Sequence, residues 1–189
     1  MSDGPQDAGT HRIETLHQGR FLRLIRDGRW EYVQRVQARG GAAMVAVTPA
    51  RELLLVEQYR VPMQGRTIEL PAGIIGDDPA NRDEPAELAG LRELEEETGF
   101  HGTRARMLLR GPTAPGLTSE LTHLVLVTGL RRVHQGGGVD GEDITPHVVP
   151  LDTAADWLNA RIAEGLWVEP RVYAALYFAA RVPEDELKV

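Results

Sequence analysis

Three carboxylates, Glu93, Glu96 and Glu97, recur at the spacing of one helical turn. On a helix of 100° per residue they share a face about 100° wide, and Leu88, Leu91 and Leu94 fall on the other side, which reads as the core stripe. Like charges at i,i+4 cost a helix roughly 0.2–0.5 kcal/mol per pair. A face that needed only water would alternate Glu with Arg more cheaply. Carboxylates clustered on a rigid element suit a hard divalent cation, because Mg²⁺ takes oxygen ligands and keeps several waters. A solvated Glu-rich face is the competing reading of the triplet alone.

The surrounding residues decide between the two. Arg92-Glu93-Leu94-Glu95-Glu96-Glu97-Thr98-Gly99-Phe100, with Glu84 eight residues before Arg92 and Gly73 further upstream, resembles the signature of the Nudix hydrolases. One departure is plain: ten residues separate Gly73 from Glu84 where the family has five, which implies a five-residue insertion within Ile75 to Asp83. The resemblance implies Glu93 and Glu97 as the main metal ligands, Glu96 as a third or through water, and the carbonyl of Ala72 as a further contact. Mg²⁺ is the implied ion, with Mn²⁺ as a substitute. Arg92 either braces these carboxylates or forms a structural salt bridge. The chemistry implied is attack of water on a diphosphate, with the cation offsetting charge on the phosphoryl oxygens.

Beyond this box the chain looks like the ADP-ribose pyrophosphatase branch of nucleoside diphosphate sugar hydrolases, across roughly residues 12 to 181. The carrying stretches are Gly28-Arg29-Trp30-Glu31, Glu57-Gln58-Tyr59-Arg60, Glu69-Leu70-Pro71-Ala72-Gly73 and Pro115-Gly116-Leu117-Thr118-Ser119-Glu120; Pro115 lies fifteen residues past Phe100. By position, Trp30 is expected to stack on the base from a partner subunit. Arg60 is expected to meet a phosphate or the terminal ribose, and Glu69 the base or the loop of the box. The catalytic base of this branch tends to lie on a late loop, which matches Val139 to Ile144. Glu142 is the first choice, with Asp140 and Glu120 behind it. An ordinary strand aromatic at Trp30, a strand-end charge at Arg60 and solvated loop acids are the competing structural readings.

These residues need elements to hold them. Phe21 to Ile25 and Trp30 to Val36 around Asp27-Gly28 read as a hairpin. Ala43 to Thr48 and Glu52 to Tyr59 read as a second strand pair, and Leu53-Leu54-Leu55-Val56 as a segment buried on both faces. Ile68 to Leu70 is a short strand, Gly73 to Arg82 a loop, and Glu84-Pro85 a helix start leading to a stop at Gly99. Strands near Ala105 to Leu109 and Thr122 to Val127, a mobile Gly-rich loop over Gln135 to Gly141, a helix capped by Asp152 and a last helix opened by Pro170 complete the chain. The element order is that of an α+β or α/β fold. The resemblance makes it an α/β/α sandwich with a mixed sheet and an N-terminal antiparallel strand pair. The expected division is a disordered lead-in over 1–10, a β region for dimerisation and base binding over 11–42, and the hydrolase domain over 43–189.

Composition narrows the classes further. The chain of 189 residues has no Cys, so no thiol nucleophile or zinc ribbon. Of its 21 basic residues only Lys188 is Lys, which disfavours a Schiff base or a phosphate-loop Lys. Between Asp77 and Glu97 stand nine acids and two arginines, a net of −7 that equals the whole chain's. Acidity of this kind argues against a nucleic-acid partner. No run approaches the ~20 apolar residues of a membrane span, and the polar start lacks the order of a secretory signal. A cytoplasmic homodimer hydrolysing ADP-ribose or a related nucleoside diphosphate sugar, to a nucleoside monophosphate and a sugar phosphate, is the reading that results. Its near rival is another specificity, GDP-mannose or a dinucleoside polyphosphate. A non-catalytic nucleotide sensor is the rival from another class; it would be expected to have lost box carboxylates and to need an output domain, for which the residues after Val182 are too few.

Overall fold

The computed structural model describes residues 13–38, 40–76, 82–139 and 141–188. The lead-in over 1–10, residues 77–81 of the expected insertion and the candidate base Asp140 lie outside the described residues. The chain opens with β1 (Ile13–Gln18), β2 (Leu22–Asp27) and β3 (Trp30–Arg35), an antiparallel sheet in that order. The expected hairpin is there, with β1 added to its outer edge. Its two-residue turn is Gly28-Arg29, with Asp27 paired to Trp30, and Gly28 at φ 59° supplies the positive φ that such a turn requires.

Next come β4 (Gly40–Ala46), β5 (Glu52–Arg60), a 3₁₀ turn (Val61–Met63), β6 (Gly65–Glu69) and β7 (Ala72–Ile75). After α1 (Ala86–Thr98) follow β8 (Phe100–His101), β9 (Arg104–Pro112), β10 (Leu121–Thr128), β11 (Arg131–Arg132) and β12 (Ile144–Pro150). Helix α2 (Ala154–Ala163), β13 (Trp167–Val168), α3 (Pro170–Ala179) and the short α4 (Glu184–Leu187) end the order. One mixed sheet runs β7-β4-β10-β9, with β4 and β10 parallel. A second runs β12-β5-β6-β13, with β6 and β13 parallel. Strands β4 and β5 were expected to pair; they enter different sheets and are joined at the turn between them, by the Val47–Leu53 bridge and the Thr48 N–H on the Glu52 carbonyl. Ala72 to Ile75, expected partly as loop, is a strand antiparallel to β4. Asp152 does not cap α2: it lies in a 3₁₀ turn, Leu151–Thr153, whose Leu151 carbonyl accepts the Ala154 N–H.

Alternation along the strands assigns the layers. Ala43, Val45 and Val47 of β4 and its extension, Leu53 and Leu55 of β5, and Leu124 and Leu126 of β10 join Leu158, Val172 and Ala175 of α2 and α3 in one core cluster. The intervening Ala42, Met44, Ala46, Leu54, Val125 and Val127 join Ala89 and Leu94 of α1 in the other. Leu53 to Val56 are all buried, as a run flanked by helices on both sides requires. Among the described residues, no helix is long and apolar enough to cross a membrane.

Helix α1 differs from its wheel. Leu94 is fully buried but Leu88 is 53% exposed, and the buried set is Ala86, Ala89, Gly90, Leu94, Glu97 and Thr98. Small residues at three- and four-residue spacing bring the helix close to β4, where Met44 Sδ would sit 3.0 Å from a Cβ at Gly90. The buried arc is thereby turned toward the acids, and Glu97 lies inside it. Gly99 ends the helix at φ 75°, its N–H on the Glu95 carbonyl at 2.8 Å.

Candidate active site

A cleft of about 760 Å³ opens over the ends of β4, β7 and β10, with α1 along one side. Glu93, Glu96, Glu97 and Ala72 all line it, as do Arg60, Glu120 and Glu142. The structure therefore brings together seven of the sequence-derived candidates.

The acid wall is built against β7. Glu97 is 6% exposed and its Oε2 accepts the Ala72 N–H at 3.0 Å. Burial, then the charges of Glu93 and Glu142, push its carboxyl up to about 8 against the opposing pull of that N–H. The Arg60 charge also pulls it down, but by less than the burial raises it. Glu93 lies directly over Gly73, where any Cβ would overlap its side chain. Arg92 reaches Glu93 at 2.9 Å, Glu96 at 3.4 Å and Glu84 at 3.9 Å, which answers the open question of its role with both a brace and an ion pair. Among the described residues, no three His, Asp or Glu side chains are gathered to grip an ion as they stand. The donor set still fits a hard cation: carboxylate oxygens on one face, one member buried. Gly73→Ala is expected to displace Glu93 and lower turnover roughly a hundredfold, with the fold retained; activity and a thermal unfolding midpoint measured together check this.

The facing side is basic. Arg60 donates from Nε and Nη2 to both oxygens of Glu69, at 2.7 and 2.6 Å, and Thr67 also bonds Glu69. Burial works to raise the Glu69 carboxyl, but those donors and the Arg60 charge hold it below its ordinary value. Glu69, expected to meet the base or the loop of the box, is not among the residues lining the cleft; it is buried and fixes the Arg60 side chain. Glu120 is likewise held by a guanidinium, Arg35 Nε donating to its Oε1 at 2.5 Å. Arg35 reaches the cleft because β3 is bridged to the loop before β10: Val33 N–H donates to Leu117 O at 2.8 Å, and Ser119 N–H to Val33 O at 3.3 Å. Arg171, in the first turn of α3, also lines the cleft. Neither Arg35 nor Arg171 was singled out by sequence; a cation at a helix N-terminus, against the helix dipole, was the available signal for the second. Trp30 does not line the cleft of its own chain and is 58% exposed at the hairpin tip.

The Gly-rich segment expected as a free loop is stitched to α1. Gly137 N–H donates to Glu97 O at 2.8 Å and Gly138 N–H to Glu96 O at 3.1 Å, satisfying carbonyls that a helix end otherwise leaves open. A Cβ at Gly136 would overlap the Thr98 and Glu97 backbone. Beyond these glycines Glu142 turns back, its N–H on Val139 O and its Oε2 on Val139 N–H, both at 3.1 Å. Asp143, missed by the sequence reading, is held at 2.7 Å by Arg66, which lowers its carboxyl from the ordinary value. Of the two described acids, Glu142 faces the cleft and Asp143 ties the loop to β6.

No protein-family model matches the chain. It is 37% identical over 156 residues to the ADP-ribose pyrophosphatase of Mycobacterium tuberculosis, covering 79% of this chain and 73% of that protein. It is 29% identical over 161 residues to the methanol dehydrogenase activator of Bacillus methanolicus, covering 80% of this chain and 83% of that one. In fold it is similar to a solved ADP compounds hydrolase, with a TM-score of 0.68, 21% identity and 90% of each chain covered.

Proposed function

Since the chain belongs to the Nudix hydrolases of the ADP-ribose and ADP-sugar pyrophosphatase kind, we propose that it hydrolyses the diphosphate of ADP-ribose or a closely related nucleoside diphosphate sugar. The observation that carries this reading is a cleft lined both by the carboxylates of α1 and by the guanidinium groups of Arg35, Arg60 and Arg171. Such a lining suits a dianionic ligand that must meet both cation and protein.

Glu93, Glu96, Glu97 and the Ala72 carbonyl would hold Mg²⁺. Bound there, the ion offsets charge on the phosphoryl oxygens and eases deprotonation of water. Arg60 and Arg35, each fixed by a carboxylate behind it, orient the diphosphate through their remaining N–H groups. Glu142 accepts the proton of the attacking water as its oxygen bonds to phosphorus and the bridging P–O bond breaks. The products are a nucleoside monophosphate and a sugar phosphate. Trp30, exposed on the N-terminal sheet, stacks on the base in the cleft of a second copy, so the working form is a homodimer.

A panel of nucleoside diphosphate sugars and dinucleoside polyphosphates, assayed with Mg²⁺ for released monophosphate, tests this. ADP-ribose or another ADP-sugar is expected to give the highest kcat/KM. Preference for GDP-mannose or a dinucleoside polyphosphate would move the substrate, and turnover of no nucleotide sugar would overturn the reading.

A further inference from the structure

We infer that Arg171 is a third contact for the substrate's phosphate oxygens, positioned by Glu169; this rests on the diphosphate reading above and adds to it a residue of α3. A cation in the first turn of a helix stands at the positive end of that helix's own dipole. The offsetting acid is Glu169, the N-cap residue of α3. The side chain is held from below: Nε donates to Glu169 Oε1, and Nη1 to Thr122 Oγ1 at 3.3 Å. Nη2 keeps no protein partner among the described residues, and the side chain lines the cleft.

Nε-to-Glu pairs also hold Arg26, Arg66 and Arg106 away from the cleft, and three more arginines so held line the cleft itself. Arg60 is pinned through Nε by Glu69, Arg35 through Nε by Glu120, and Arg171 through Nε by Glu169, each with an outer nitrogen left over. A structural ion pair needs no common direction. Each is already paired with a carboxylate, yet all three turn N–H groups into one cleft, and a guanidinium fork matches phosphate oxygens where an ammonium would act only as a point charge. Thr122 of β10 pairs with Gly41 of β4, which pairs with Ile74 of β7. At ~4.8 Å between strands, Arg171 is anchored roughly 10 Å across the floor from the strand beneath the acid wall. It therefore takes phosphate oxygens turned away from α1, which the carboxylate-bound cation does not serve. Glu169 Oε2 is buried without a hydrogen-bond partner, and Glu169 also lies in the field of Arg60. Its charge is thus answered by the two arginines, and it holds Arg171 over the floor rather than out in water.

Kinetics of Arg171→Gln, Arg171→Lys and Glu169→Gln on the best substrate of the panel, with calorimetric binding of ADP in Mg²⁺, test the inference. Arg171→Gln is expected to raise KM and the Kd for ADP by about ten- to a hundredfold, with kcat within about threefold. Arg171→Lys is expected to recover part of the loss, and Glu169→Gln to raise KM less. Should Arg171→Gln leave both KM and Kd near wild type, or lower only kcat and the thermal midpoint, the residue is structural and the inference fails. If the wild type turns over no nucleotide sugar, the substrate reading falls, and ADP binding still decides the role of Arg171.

Discussion

Glu97→Gln is expected to lower kcat by roughly a thousandfold while leaving the metal-free protein at least as stable as wild type at pH 8. The amide keeps an oxygen for the Ala72 N–H, so the local backbone has no reason to shift. What it loses is the charge that the cation needs. The wild-type carboxyl is raised to about 8 from an ordinary 4.5 by burial and by the neighbouring acids. Between those values the folded protein holds a proton that the unfolded chain releases, so this group's contribution is present at low pH and is lost as pH rises through about 8. Unfolding in the presence of a chelator at pH 5, 6.5 and 8 is expected to show a decline in wild type that Glu97→Gln lacks. With Mg²⁺ the ion takes the proton's place, so its affinity is expected to rise over the same window. A variant with near-wild-type kcat would remove Glu97 from the metal set; equal pH slopes for the two proteins would show that the carboxylate is already compensated in the folded chain.

What the sequence could say about this site depended on how local the signal was. The hairpin, the ends of α1 and the doubly buried β5 are written in a few adjacent residues: a Gly at φ 59°, a Gly at φ 75°, four consecutive apolar side chains. The rotation of α1 was not. Leucines marked the stripe on the wheel, but the helix lies on β4 through alanines and a glycine, since close approach rewards small side chains over large ones. That rotation explains how Glu97 can be buried and still line the cleft. Partners distant in sequence were equally invisible. Glu69, expected at the base or the loop of the box, fixes Arg60; Glu120 was a base candidate and is paired with Arg35; Arg171 meets Thr122 across 49 positions. The sequence supplied the acids and Arg60, and only the fold supplied Arg35 and Arg171.

Glu142→Gln is expected to lower kcat by about 10²–10⁴-fold with little change in KM. Glu142 lines the cleft on a segment whose position is set from both directions. Gly137 and Gly138 hang it on the last carbonyls of the helix that carries the acid wall, so a base on this loop moves with the metal residues rather than independently of them. Arg66 holds the other end through Asp143, an exposed pair of the kind that contributes little alone. Asp143→Asn is accordingly expected to cost no more than about threefold in kcat, a contrast between adjacent acids that a general loss of loop charge would not produce. Glu120 is a weaker acceptor because its Oε1 already takes the Arg35 Nε–H at 2.5 Å. Steady-state kinetics of the two variants, side by side, separate these roles. If Glu142→Gln keeps more than about a tenth of the wild-type kcat, the proton goes to Asp140 or to Glu120, and Glu120 would have to release Arg35 to receive it.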